Sequence, residues 1–260
     1  MTSGGVDRVP DDDPWSRWAR NGDVRLHALD SGDPDGHDEG VPALFVPGFG
    51  EEAAEHRPLL EALRPRRVLA VDLRGRGRSD VPAAGYGFTA HVADVDALVR
   101  AAGLDRVHVV SYSRGTSYAL GWAVSHPEQV VSVAVGDYAA HQMVPPDWFG
   151  DVAVRRRWRG RPIVDRMPEH AIRALLAEAT DVPLWDDLAR LGVPALLVRG
   201  VAEGAIATDA VEARYREALP HLEVVRFEES GHDLWQPDPD RFATTIRDFL
   251  ARADAAAASG

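Results

Sequence analysis

The chain has 260 residues, of which 45% are apolar, and a formal net charge of −12. An acidic chain of this length fits one α/β domain with an insertion and argues against nucleic acid as a partner. It contains no cysteine and no lysine, which excludes disulfides, thiolate catalysis, cysteine-bound metals and Schiff-base chemistry. No apolar run is long enough to span a membrane.

Apolar runs predict a series of β-strands. A hairpin comes first, because Asn21-Gly22 is a two-residue turn signal between two alternating segments. The later runs are almost continuously apolar, as expected of parallel strands that are covered on both faces. These runs are 43–46, 67–73, 106–112, 130–137, 195–198 and 223–227.

Helical patterns alternate with these strands. The stretch 88–99 repeats apolar residues with a period of about 3.6 and ends at Gly103, and the stretch 238–250 repeats the pattern. The first dozen residues and the stretch 253–260 are predicted to be frayed ends. The alternation of strands and helices predicts an α/β fold with a mostly parallel sheet.

One long segment lacks strand signals. From Tyr138 to about Arg190 the chain predicts a helical insertion, so we expect a core formed by 1–137 and 191–260 and a helical lid over 138–190. The lid segment contains five arginines between Arg155 and Arg161. We interpret them as a solvated helix face, with a dock for a carboxylate, a phosphate or a carrier-protein arm as the alternative.

A serine pattern lies where a predicted strand meets a predicted helix. The stretch S-Y-S-R-G occupies 111–115, and small-x-Ser-x-small in this context predicts a sharp turn that lifts the central side chain above the sheet. Ser113 is the lifted residue, and Ser111 and Gly115 are the small ones. Taken alone, the pattern leaves open that both serines are ordinary residues at a helix start.

Three further motifs accompany this pattern in chain order: FVPGFGE, VDLRGRGRSD and EESGHDLWQPDPDRF. Together with S-Y-S-R-G they resemble the α/β-hydrolase superfamily, from about residue 25 to residue 250. The resemblance implies the α/β-hydrolase fold, with a mostly parallel central sheet, flanking helices and a small helical lid. It also implies that Ser113 is a nucleophile and that His232 in SGHD is its base.

The same resemblance implies an oxyanion hole and a substrate pocket. The two donors would be the backbone N–H groups of Phe49 and Arg114. The family often has a histidine before the glycine of this loop, whereas this chain has Pro47, which removes a polar tether. The residues expected to line the pocket are Tyr112, Tyr138, His141 and Trp148.

The acid of the triad has two candidates. The resemblance usually places it three or four residues past the glycine that ends the seventh strand, and Glu203 lies there after Gly200. A subgroup of the family moves it to the end of the sixth strand, which here gives Asp137. Because Asp137 ends a core strand and Glu203 lies in a Gly/Ala loop, we expect Asp137, with Glu203 or the absence of any acid as the alternatives.

These residues predict a serine hydrolase that acts on a small-molecule ester, lactone or other acyl compound. A serine at the elbow disfavours dehalogenation and epoxide hydrolysis, for which the family uses an aspartate there. The alternatives are acyl transfer, cyclisation or carbon–carbon cleavage in secondary metabolism with the same residues, and a non-catalytic ligand-binding module. We expect no cofactor, no metal, and no nucleic-acid or membrane partner. The expected location is the bacterial cytoplasm.

Overall fold

A computed structural model describes residues 13–258, so the prediction for the first dozen residues lies outside the described part of the chain. The strands are β1 Ser16–Asn21, β2 Val24–Asp30, β3 Ala43–Val46, β4 Val68–Asp72, β5 Val107–Tyr112, β6 Val130–Gly136, β7 His141–Gln142, β8 Arg157–Trp158, β9 Arg161–Pro162, β10 Val182–Pro183, β11 Ala195–Gly200 and β12 Leu222–Phe227. The α-helices are α1 Arg57–Ala62, α2 Phe88–Ala101, α3 Gly115–Ser125, α4 Phe149–Arg155, α5 Glu169–Ala177, α6 Trp185–Leu188, α7 Asp209–Ala218 and α8 Pro239–Ala258.

Eight strands form one sheet in the order β1-β2-β4-β3-β5-β6-β11-β12. The six predicted apolar runs are its parallel strands, and β1 and β2 add an antiparallel hairpin at one edge. The hairpin turn is shifted by one residue from the prediction. Asn21 pairs with Val24, so the turn consists of Gly22 and Asp23, and Gly22 has φ of 58°. The predicted fold class is confirmed.

Helices cover both faces of the sheet. Successive residues of a strand point to opposite faces, so they pack against different helices. Leu44 and Val46 pack with α2, α3, α6 and α7 on one face. Ala43 and Phe45 pack with α1 and α8 on the other. This double coverage explains why the parallel strands are apolar along their whole length. Within residues 13–258, no helix combines the length and the apolar character that crossing a membrane requires.

The C-terminal helix is longer than predicted. The stretch 253–260 was expected to fray, but α8 continues to Ala258. Two contacts explain the difference. Ala253 is buried against the core, and the carboxylate of Asp254 accepts hydrogen bonds from Arg66 Nη2 at 2.7 Å and from His108 Nε2 at 3.0 Å. The last turns of α8 therefore have partners that their small side chains did not reveal.

The segment 138–190 is less helical than predicted. It contains α4, α5 and α6, together with the short strands β7 to β10. Residues of α4 and α5 form a small apolar cluster with Ile163 and Met167, whereas Trp185 and Leu188 of α6 pack into the main core. The division into a core and a lid stays a prediction.

The arginine cluster does not form the predicted helix face. Its first arginine ends α4, Arg156 follows that helix, and the other three lie in a hairpin in which Trp158 of β8 pairs with Arg161 of β9. Arg159 and Gly160 make the turn with φ of 46° and 77°. Positive φ at both central residues is what a tight two-residue hairpin turn requires. This stretch therefore forms a hairpin and not the predicted helix.

Candidate active site

Ser113 stands on a sharp turn between β5 and α3. Its φ is 51°, in the left-handed region that residues other than glycine rarely adopt. Its amide donates to Gly136 O and its carbonyl accepts from Thr116 N, both at 2.9 Å. A Cβ on Gly115 would lie 2.2 Å from the carbonyl oxygen of Pro47, so only glycine lets α3 pass this loop. The elbow is therefore built as the sequence pattern requires.

His232 lies between Ser113 and Asp137. Its Nε2 is 2.8 Å from Ser113 Oγ, and its Nδ1 is 2.7 Å from Asp137 Oδ2. The ring stacks on Tyr112 with centroids 5.1 Å apart, and the hydroxyl of Tyr112 donates to the carbonyl of His232 at 2.5 Å. These contacts hold the imidazole in an orientation that can take a proton from Ser113.

Asp137 is fully buried at the end of β6, with φ of 45°. Besides His232, its carboxylate accepts backbone N–H groups from Gly200 at 3.2 Å, Ile206 at 2.9 Å and Ala207 at 3.2 Å. Several N–H donors stabilise the ionised form of a carboxylate and fix its direction. Backbone strain at a residue with this many partners is typical of functional sites.

Glu203, the alternative acid, lies apart from the imidazole. Its side chain is exposed, and within residues 13–258 it has no hydrogen bond to His232. The reason lies in the loop that carries it. This loop turns its amides towards the site, and two of them, from Ile206 and Ala207, bind the carboxylate of Asp137. Of the two predicted acids, the structure brings only Asp137 to the imidazole.

The two expected oxyanion donors flank Ser113. Within residues 13–258, no acceptor contacts the amides of Phe49 and Arg114, so both N–H groups are available to a ligand. The loop that carries Phe49 passes directly over the serine. A Cβ on Gly48 would lie 2.9 Å from Ser113 Cβ. An oxygen held beside Ser113 Oγ could therefore meet two N–H groups.

A cavity of about 290 Å³ opens beside Ser113 and His232. Its wall is mainly apolar and includes the two predicted tyrosines, Tyr112 and Tyr138. Further lining side chains come from the loop that carries Phe49, the segment 138–190 and the loop after β11. They are Phe49, Glu51, Met143, Val144, Pro145, Pro146, Phe149, Arg156, Trp158, Ile163 and Ile206. A wall of this kind suits an apolar acyl group.

Two of the four predicted pocket residues lie outside the wall of this cavity. Trp148 is 64% exposed and lies outside the wall, because the next residue, Phe149, faces inward at 5.9 Å from the ring of Phe49. His141 also lies outside it and bonds through Nε2 to Asp181 Oδ1 at 2.9 Å. The pocket tryptophan is Trp158, whose ring is 5.9 Å from that of His232.

Glu51 is the residue that the sequence analysis missed. It is buried in the pocket wall, where Oε2 accepts the N–H of Gly48 at 2.7 Å and Oε1 accepts the indole N–H of Trp158 at 2.8 Å. Arg159 Nη1 lies 3.4 Å from Oε1, and His56 Nε2 lies 3.4 Å from Oε2. The only signal in the sequence was an acidic residue that directly follows P-G-F-G.

The arginine cluster is divided by its partners. Arg159 and Arg161 are paired with carboxylates of the core, Arg159 with Asp233 at 2.8 Å and Arg161 with Glu52. Arg156 lines the pocket instead, with its guanidinium 5.4 Å from the ring centroid of Trp158. Within the described residues it has no carboxylate partner. The cluster therefore attaches the hairpin to the core and leaves one cation at the edge of the cavity.

A mostly parallel sheet whose carboxyl edge brings a serine, a histidine and an aspartate together defines an α/β-fold hydrolase. The model of the alpha/beta hydrolase family matches residues 43–245, and the chain belongs to that family. The superfamily and the enzyme class predicted from the sequence are thereby confirmed.

Two relatives and one solved structure are similar to this chain. The fluoroacetate dehalogenase of Burkholderia sp is 33% identical over 124 residues, which are 45% of this chain and 38% of the dehalogenase. The 2-(acetamidomethylene)succinate hydrolase of Mesorhizobium japonicum is 29% identical over 201 residues, which are 72% of this chain and 70% of that protein. The enol-lactonase from Burkholderia xenovorans LB400 has a TM-score of 0.76 at 22% identity, over 90% of this chain and 99% of the lactonase. The likeness to the lactonase supports the fold alone.

Proposed function

We propose that the protein is a serine hydrolase that cleaves a small-molecule ester, lactone or other acyl compound through an acyl-enzyme on Ser113. The observation that carries this proposal is the chain of contacts from Ser113 Oγ to His232 at 2.8 Å and from His232 to Asp137 at 2.7 Å. Nucleophile, base and orienting acid in contact are the arrangement that activates a serine.

In the first half of the reaction, Ser113 Oγ attacks the carbonyl carbon of the substrate and His232 Nε2 takes the hydroxyl proton. Asp137 holds Nδ1–H and stabilises the imidazolium that forms. The carbonyl oxygen becomes an oxyanion between the N–H groups of Phe49 and Arg114, where each donor contributes about 3 kcal/mol. When the tetrahedral intermediate collapses, the bond to the leaving group breaks and His232 returns its proton to that group.

In the second half, water replaces the leaving group. His232 takes a proton from the water, whose oxygen attacks the acyl carbon, and the proton passes to Ser113 Oγ as the acyl-enzyme bond breaks. The side chain of His232 is 13% exposed, which supports access of water to the acyl-enzyme. Atoms balance with one water consumed for each acyl bond cleaved.

The chemistry of the pocket narrows the substrate to an acyl compound with an apolar body. The relatives include a hydrolase of 2-(acetamidomethylene)succinate, in keeping with a small acyl substrate. The likeness to a dehalogenase does not extend to Ser113, since that chemistry in this superfamily relies on an aspartate at the elbow. Segment 138–190 would act as the lid of this pocket. We place the enzyme in the cytoplasm of a bacterium, as the sequence predicts.

Steady-state kinetics with a series of 4-nitrophenyl esters tests the proposal. Ser113→Ala should lower kcat by at least about 10³-fold, because the variant keeps the oxyanion hole and the pocket but has no nucleophile. Ser111→Ala is the matched control. Ser111 is two residues away and buried, and within the described part of the chain its hydroxyl hydrogen-bonds only with Ala134 O and Thr116 Oγ1. It should keep most of the activity. Equal losses in both variants would contradict the proposal.

A further inference from the structure

The oxyanion loop, residues 47–51, carries the expected donor Phe49. It lacks the polar tether that its family often has, because Pro47 stands in the place of a histidine. The structure contains a substitute within the same loop. Residues 48–51 form a turn in which the amide of Glu51 donates to Gly48 O at 3.4 Å. In return, Gly48 N–H donates to Glu51 Oε2 at 2.7 Å. The side chain and the main chain of Glu51 therefore close the turn that presents the amide of Phe49.

The second oxygen of the same carboxylate reaches the hairpin of 157–162. Glu51 Oε1 accepts the indole N–H of Trp158 at 2.8 Å and lies 3.4 Å from Arg159 Nη1. Arg159 in turn pairs with Asp233 at 2.8 Å, and Asp233 directly follows His232. One carboxylate thus joins the oxyanion loop, the pocket wall and the loop of the predicted base.

The backbone conformation of Arg159 indicates that these contacts hold the hairpin firmly in place. It is one of the non-glycine residues with positive φ, at 46°, and the others are Ser113 and Asp137. A residue with a side chain keeps this conformation only when its surroundings hold it there. Its guanidinium lies 4.3 Å from the ring centroid of Trp235, in addition to its contacts with the two carboxylates. Within residues 13–258, every strained position of this type belongs to the same site.

The surroundings of Glu51 favour the ionised form of its carboxylate. Burial by itself would raise its pKa, but His56, Arg159 and the N–H of Gly48 outweigh burial and lower the pKa from 4.5 to about 2. The carboxylate is therefore ionised at neutral pH. An ionised group accepts shorter and stronger hydrogen bonds than a neutral one, which matters for holding a glycine-rich turn in one conformation.

We propose that Glu51 is a positioning residue for the oxyanion hole, which fixes the N–H of Phe49 through Gly48 and couples it to the hairpin through Trp158 and Arg159. The proposal rests on the serine hydrolase mechanism proposed above. Glu51 does not exchange a proton with the substrate. Its effect is on geometry, because an oxyanion donor acts only when it is aimed at the place where negative charge develops.

Glu51→Gln is the most direct variant, because glutamine has the shape of glutamate but only one acceptor atom. Each oxygen of Glu51 now accepts one N–H, so in the variant either Gly48 or Trp158 must face an NH₂ group. We expect kcat to fall by about 10–100-fold with little change in KM, because a displaced donor affects the transition state more than substrate binding.

Glu52→Gln is the matched control. Glu52 is the next residue, is 14% exposed and pairs with Arg161 of the same hairpin, but it makes no contact with Gly48. It tests whether a loss of activity comes from loosening the hairpin alone. We expect its kcat to stay within about threefold of wild type, as is typical of a partly exposed ion pair.

Inhibition by phenylboronic acid gives a readout that a merely structural role would not move. The boron forms a tetrahedral adduct with a nucleophilic serine and places an oxygen in the oxyanion hole. We expect Glu51→Gln to weaken this inhibition by about the same factor as kcat, whereas Glu52→Gln should leave it unchanged. Melting temperatures of all variants establish that the folded proteins are being compared.

Trp158→Phe keeps the proposal testable should Glu51→Gln fail to fold. It removes the N–H that Glu51 accepts while keeping an aromatic ring in the wall, and we expect kcat and the boronate affinity to fall together, by about 3–10-fold. An unchanged boronate affinity in folded Glu51→Gln, or in Trp158→Phe if only that variant folds, overturns the proposal. A wild-type protein that neither cleaves esters nor binds the boronate overturns the proposed function, and this inference with it.

Discussion

Two regions build the pocket, and different forces hold them. At the carboxyl edge of the sheet, main-chain hydrogen bonds fix the reacting groups: the amide of Ser113 donates to Gly136 O, and the carboxylate of Asp137 accepts three backbone N–H groups. The segment 138–190 is attached by charged side chains as well as by the apolar packing of Trp185 and Leu188. Its ion pairs with the core include Arg159 with Glu51 and Asp233, Arg161 with Glu52, and Arg166 with Glu55.

The difference separates two requirements of one site. Main-chain bonds and strained turns hold Ser113 and Asp137 in a geometry that tolerates little displacement, as proton transfer demands. An ion pair joins two side chains, so one pair can be replaced without moving the main chain at the edge. The wall formed by 138–190 can therefore change its shape while the geometry of the edge is kept. Substitutions at the edge should therefore affect mainly kcat, and substitutions at Arg161 and Arg166 should affect mainly the stability of the segment.

The largest effect is expected at the edge. Asp137→Asn should lower kcat/KM by about 10²–10⁴-fold, because an NH₂ facing His232 Nδ1 favours the tautomer that cannot take the proton of Ser113. The measurement is ester hydrolysis, with circular dichroism to establish that the variant folds.

Glu203→Gln is the control for this prediction, since its side chain is exposed on the loop after β11. It should hydrolyse the same ester at close to the wild-type rate. If Glu203→Gln loses activity by orders of magnitude while Asp137→Asn stays near wild type, the acid has been assigned to the wrong carboxylate.

The next effect is expected at an attachment of 138–190. The side chain of Arg166 is 1% exposed and pairs with Glu55, and its guanidinium also donates to carbonyls of the hairpin. Arg166→Gln leaves a buried carboxylate without its partner and should lower the free energy of unfolding by about 3–5 kcal/mol. Urea denaturation measures this loss.

Arg173→Gln provides the comparison within the same segment. Arg173 is 49% exposed and pairs with Glu169 on the surface of α5, so its loss should leave the free energy of unfolding nearly unchanged. Equal stability of Arg166→Gln and Arg173→Gln would mean that buried ion pairs do not hold the segment.

A smaller effect is expected from acid, through Glu51. Its pKa in the folded protein, about 2, lies below its ordinary value of 4.5, so between these values the unfolded chain binds more protons than the folded one. The stability from this ionisation is complete above about pH 4.5 and is lost as the pH falls towards about 2.

The wild-type advantage in free energy of unfolding over Glu51→Gln should therefore shrink by about 3 kcal/mol across that whole range. Urea denaturation of both proteins at successively lower pH, as far as wild type remains folded, measures the difference. A difference that stays constant with pH would refute an ionised, paired Glu51.

The edge of the sheet could be predicted because its signals are local. The turn at Ser113 is encoded by small residues within 111–115, and Asp137 follows directly after an apolar run that becomes β6. The same locality explains why the bounds of the parallel strands were close to those in the structure. Such features need only the order of residues along a few turns of chain.

Most of the pocket wall could not be predicted, because its signals are tertiary. Trp148 and Phe149 are neighbouring aromatic residues, and only the contact with Phe49 selects the second for the pocket. Glu51 bonds to Trp158, which is 107 residues further along the chain. No periodicity or motif predicts a contact between positions so far apart. The roles of the residues in 138–190 depend on their tertiary contacts, which the sequence pattern does not show.

Labelling with a fluorophosphonate tests most directly the central claim, that Ser113 is an activated nucleophile. Intact-mass analysis should find one adduct on the wild-type protein, peptide mapping should place it on Ser113, and Ser113→Ala should carry none. An adduct on Ser111, or folded wild-type protein that remains unlabelled, would contradict the account.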